Sequence, residues 1–98
     1  MHSESDGLSE PARRQLQLTR RFAAGLIAGP EFETAFLDVH MRVHDLLPAP
    51  LEDVMNEIFY SVDDYVSKDS LRDPENGDLD EEQLREIVRT QLLRLDEA

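Results

Sequence analysis

The stretch that most narrows what this chain can become lies between Pro50 and Val66. There Leu51, Val54, Met55, Ile58, Phe59, Val62, Tyr65 and Val66 recur so that each has another three or four residues along the chain from it. An α-helix gathers such positions onto one side, whereas a strand would scatter them over both faces. A helix with one apolar stripe must bury it. In a chain of 98 residues the partners available are a few similar helices sharing one core.

Three more such segments are legible. From an N-cap at Ser9, with Pro11 tolerated in the first turn, Ala12, Leu16, Leu18, Phe22, Ala23 and Leu26 predict a first helix ending near Gly25 or Ile27. Pro30 to Leu47 predicts a second, burying Phe32, Ala35, Phe36, Val39, Val43 and Leu46. Pro48-Ala49-Pro50 ends it, since neither proline can donate a backbone hydrogen bond. Lys68 to Leu79 reads as a loop from its Ser, Asp, Pro and Gly content. Asp80, with Gln83 three residues on, is a capping-box start for a fourth helix carrying Leu84, Ile87, Val88, Leu92 and Leu95. No run alternates as a strand would. The expected fold is therefore all-α: an antiparallel four-helix bundle, up-down-up-down, over residues 9–98, with residues 1–8 as a flexible tail.

Charge decides which partners to consider. The formal net charge is −12. Between Asp63 and Glu82, nine carboxylates face only Lys68 and Arg72, a local balance of −7. Crowding of like charge disfavours the compact state, so this stretch is expected to be a functional surface. Such acidity opposes direct binding to a nucleic-acid backbone or an anionic membrane and favours a basic protein partner. On the third helix Asp53, Glu57, Tyr60 and Asp64 converge outward, and Asp63 lies on a flank. Asp63 and Asp64 stand late in that helix, where the dipole favours cations instead. Arg13, Arg14, Arg20 and Arg21 on the first helix are expected to compensate neighbouring acids.

Catalysis and cofactors find little support. Cysteine is absent, no serine sits in a nucleophile motif, and the glycines form no phosphate-binding loop. The acidic loop fails the EF-hand pattern: counted from Asp73, position 6 is Asp78 and position 12 is Leu84; counted from Asp69, position 3 is Leu71. His40 and His44 have a zinc-compatible spacing but no third ligand, and are expected as surface histidines. The chain is thus expected to be neither an enzyme nor a metalloprotein. No signal peptide or spanning segment is evident, so a cytoplasmic location is expected.

Several of these segments resemble the colicin D-type immunity proteins. The likeness runs through Arg21-Phe22, Gly25-x-Ile27-x-x-x-Glu31-Phe32-Glu33, Phe59-x-x-Val62-Asp63-x-Tyr65, the Asp69, Leu71 and Arg72 group, and Asp80-Glu81-x-x-Leu84-Arg85-x-x-Val88. The resemblance implies a four-helix bundle that binds the basic nuclease domain of a cognate toxin, one to one. It also implies that acidic side chains occupy a cleft meant for tRNA phosphates. By position it points to Asp63 and Asp69, with Asp64, Tyr65, Arg72 and Asp73 near enough to take part. Together with the helix-three face, the expected toxin-binding residues are Glu57, Tyr60, Asp63, Asp64, Asp69, Arg72 and Asp73. The alternative is an acidic antitoxin or subunit that binds another basic protein, with Leu37, Met41 and Leu93, off the main stripes, as a permanent interface.

Overall fold

The computed structural model describes residues 9–43, 47–66, 68 and 71–97. Within them are four α-helices: α1 (Glu10–Ala23), α2 (Gly29–Val43), α3 (Ala49–Asp64) and α4 (Glu81–Glu97). Each packs on its chain neighbours and α4 closes back onto α1, giving the expected antiparallel ring. The α1–α2 and α3–α4 pairs are packed most extensively, and the α2–α3 pair least. One core takes residues from all four helices, including Leu16, Phe22, Phe32, Phe36, Met55, Ile58, Val62, Leu84 and Val88. Phe22 and Phe32 stack with their centroids 4.2 Å apart, and ring contacts continue through Phe36 and His40 to Phe59.

The helix ends follow local chemistry. Ser9 Oγ accepts from the Ala12 N–H, as its N-cap role requires. At the other end of α1, Gly25 takes φ +81°, with Gly25 N–H donating to Phe22 O and Leu26 N–H to Arg21 O. That is a Schellman turn, which glycine enters without penalty. It carries Leu26 out of the helix into solvent, where its side chain is 68% exposed. The periodicity placed Leu26 in the core; the left-handed turn one residue earlier overrides it. The capping box at α4 forms reciprocally, Asp80 N–H to Gln83 Oε1 at 2.9 Å and Gln83 N–H to Asp80 Oδ1 at 2.8 Å.

Two interior features depart from the sequence reading. Gln15 and Thr19 lie fully buried on the core side of α1. His40, expected on the surface, is 5% exposed, with its ring stacked beside Phe36 and Phe59 and its Nδ1 2.9 Å from Gln15 Nε2. A hydrogen-bond partner on the facing helix lets an imidazole occupy an apolar position. His44 and Leu46 fall outside the described residues, as do the 1–8 tail and Asp69.

Arginines of α4 tie the first helix pair to the rest. Arg85 donates to Phe22 O (2.9 Å) and Ile27 O (3.2 Å), pairs with Glu81 at 3.0 Å, and lies over the Phe22 ring. Arg89 donates to Ala23 O at 2.9 Å. These cations satisfy carbonyls at and just beyond the end of α1, where the helix dipole is negative. Of the arginines on α1 itself, Arg20 pairs with Asp96 at 2.9 Å. Arg13, Arg14 and Arg21 are exposed and meet no described carboxylate, so the expected local compensation holds only for Arg20.

Candidate functional site

The site begins where α3 ends. Its buried side, Leu51, Val54, Met55, Ile58 and Val62, fixes the rotation of the helix against the core. The opposite side must then face solvent, and Asp53, Glu57, Tyr60, Asp63 and Asp64 are all exposed there. Burial of the stripe, worth roughly 1.5–3 kcal/mol per large side chain, far outweighs what repulsion among solvated carboxylates can cost. No cation among the described residues pairs with Glu57, Asp63 or Asp64. Among the described residues the ridge is negative and uncompensated.

After α3, the described residues Tyr65, Val66, Arg72 and Leu79 are fastened to one another. Tyr65 and Leu79 form a parallel bridge: Leu79 N–H donates to Asp64 O at 2.9 Å and Val66 N–H to Leu79 O at 3.0 Å. Arg72 brings both Nε (3.1 Å) and Nη2 (2.8 Å) to Val66 O. A short 3-10 turn, Pro74–Asn76, follows, closed by Gly77 at φ +88°. The Asp73 side chain accepts from Glu75 N–H at 3.1 Å, while the Asp73 N–H donates to Asp78 Oδ2 at 2.9 Å.

The acidic residues therefore divide into two sets. Asp73, Asp78, Asp80 and Glu81 hold backbone N–H groups in place. Glu57, Asp63 and Asp64 hold nothing and face solvent. Among the residues expected to bind a partner, the structure brings Glu57, Tyr60, Asp63 and Asp64 together on one helix face. Asp73 lies in the following turn with one oxygen engaged, and the Arg72 guanidinium is directed at a backbone carbonyl.

Behind the ridge is a polar joint that no sequence pattern announced. Gly29 N–H donates to Glu81 Oε1 at 2.7 Å, so Glu81 caps the start of α2 from another helix. The Tyr65 ring and Glu81 press against Gly29 so closely that a Cβ there would overlap both. Desolvation raises the Tyr65 phenol above its ordinary value, and the charges of Glu81 and Glu33 add to the effect. Desolvation likewise raises Glu33. This joint packs against Tyr65, the residue that ends α3 directly after Asp63 and Asp64.

Sequence reasoning also missed a shallow groove of about 300 Å³ between α2 and α3, lined by His40, Met41, Asn56, Phe59 and Tyr60. It opens where the bundle is least tightly packed. The only hint was Met41, off its helix's apolar stripe. Among the described residues no three metal-binding side chains cluster, and no helix is long and apolar enough to cross a membrane.

Comparison with known proteins assigns this arrangement. Residues 13–95 match the family model described as bacterial self-protective colicin-like immunity. The chain belongs to that family. No curated protein and no solved structure matched the chain. Family membership supports the role of a bacteriocin immunity protein, one that binds a cognate toxin as an inhibitor rather than acting as an enzyme.

Proposed function

We propose that this chain neutralises the basic ribonuclease domain, in the first instance a tRNA-cleaving one, of a bacteriocin or contact-dependent toxin inside the bacterial cytoplasm. In a one-to-one complex, carboxylates at the end of α3 and in the following loop take the places of RNA phosphates in the toxin's cleft. The observation that carries this reading is the ridge of Glu57, Asp63 and Asp64, which no cation among the described residues compensates. A cleft that binds a polyanion is lined with cations, and fixed carboxylates answer that field without being cleaved. The bridge at Tyr65 and the Arg72 clamp support the same reading, because holding Tyr65, Val66 and Arg72 in place beforehand removes part of the entropic cost of binding. Asp69 joins the set through the family resemblance.

The test is charge reversal. Asp63→Lys with Asp64→Lys is expected to weaken toxin binding by roughly 100-fold or more. Reversal of Glu97, on the far end of α4, should change it little. Full protection by a folded double variant would remove Asp63 and Asp64 from the interface. A permanent subunit interface is less well supported. Leu37 packs against the core, and the exposed Met41 and Leu93 lie on α2 and α4, which do not adjoin in the ring.

A further inference from the structure

We infer that the groove between α2 and α3 receives an arginine side chain of the basic partner, an anchor distinct from the phosphate-mimicking carboxylates. The inference rests on the reading above for the nature of that partner. Met41 is 76% and Tyr60 62% exposed, a large apolar exposure for two side chains that share one depression. Phe59 and Tyr60 contact each other with centroids 5.8 Å apart and planes inclined by 59°. The groove of about 300 Å³ suits one long side chain rather than a helix or a strand.

Its surroundings select the chemistry of that side chain. The walls are the Met41 thioether and the Phe59 and Tyr60 rings, suited to the three methylenes of arginine, together with the His40 imidazole and the Asn56 amide. A guanidinium can stack on the exposed Tyr60 ring, an attraction ammonium and purely apolar groups exploit less well. Glu57, one turn before Tyr60, and Asp63 and Asp64, one turn after it, are exposed and unpaired among the described residues. An aliphatic partner residue would desolvate these carboxylates without compensation, and an acidic one would be repelled. Aromatic and arginine residues meeting in a partly desolvated pocket are the usual composition of an interface hot spot.

Two experiments test this. In the first, the free protein is titrated with N-acetyl-arginine amide and with the citrulline analogue, its neutral isostere, while NMR follows the Met41 methyl and Tyr60 ring signals. Saturable shifts with arginine alone, lost in Tyr60→Ala, are expected. Equal shifts from both probes, or none, overturn the inference.

In the second, affinity for the toxin's nuclease domain is measured. Tyr60→Ala is expected to weaken it about 30-fold and Met41→Ala about 5-fold, with Tyr60→Phe near wild type and Leu93→Ala unchanged. Tyr60→Leu should behave like Tyr60→Ala; full affinity in that variant would mean an apolar occupant and overturn the assignment. A dimer of the free chain that Tyr60→Ala dissociates would make the occupant a second copy, and also overturns it. Arginine-selective shifts in a chain that binds no basic toxin domain would sink the functional reading and leave the groove chemistry standing. Toxin binding lost on reversal of Asp63 and Asp64 but indifferent to Tyr60 and Met41 would do the reverse.

Discussion

The end of α3 and the start of α4 are both rich in acids, yet they use their carboxylates in opposite ways. Asp73, Asp78, Asp80 and Glu81 turn their side chains on the backbone, closing a turn, completing a capping box and holding the first N–H of α2. From Glu57 to Asp64 the carboxylates accept nothing and face water. Composition cannot separate the two. What separates them is whether an unsatisfied N–H lies within reach of the carboxylate. Acids in the first region are expected to matter for stability, and acids in the second for the partner.

The largest expected effect is at the cation that ties the start of α4 to the end of α1. Arg85→Met removes a donor from Phe22 O and Ile27 O and leaves Glu81 without its ion pair. A loss of about 3 kcal/mol in denaturant unfolding is expected, with toxin binding retained per folded molecule. Gly29→Ala should cost somewhat less, roughly 2 kcal/mol, because the added methyl must displace the Tyr65 ring. It should also weaken toxin binding, since that ring terminates α3; retained affinity would show that the joint does not position Asp63 and Asp64. Asp80→Ala should cost about 1 kcal/mol through loss of the cap and leave affinity unchanged. By contrast, Asp63→Asn with Asp64→Asn should leave stability within about 0.5 kcal/mol of wild type, or raise it, while weakening binding.

A pH series probes the smallest difference. Burial raises the Glu33 carboxyl above its ordinary value, so the folded state holds that proton more tightly than the unfolded chain. By linkage, its contribution to stability is fully present at low pH and lost as pH rises through the carboxylate range. Glu33→Gln should therefore have a higher melting temperature than wild type at neutral pH, and the gap should close on acidification below the ordinary carboxylate range. Melting curves that stay parallel from acid to neutral would contradict that burial effect. Tyr65 works in the same direction at the alkaline end, where its raised phenol predicts falling stability as pH climbs past the ordinary tyrosine range.

The outward face of α3 could be read from sequence because one helical period places both sides at once: burying Leu51, Val54, Ile58 and Val62 leaves Glu57, Tyr60 and Asp64 nowhere but outside. The α4 cap was legible for a similar reason, since Asp80 and Gln83 interact across three residues. His40 was not. Its burial depends on Gln15, 25 residues away on another helix, and no local spacing encodes that meeting. The same holds for Leu26, whose fate was decided by the left-handed turn at Gly25.

By itself, then, the sequence determined the four helices, their buried stripes and the excess of negative charge. These are properties of local periodicity and composition, which need no knowledge of what lies opposite. Tertiary structure alone decided which carboxylates are engaged and which are free, and it alone opened a groove at the loosest helix pair. Both depend on distances between residues far apart in the chain, and those exist only once the helices have packed.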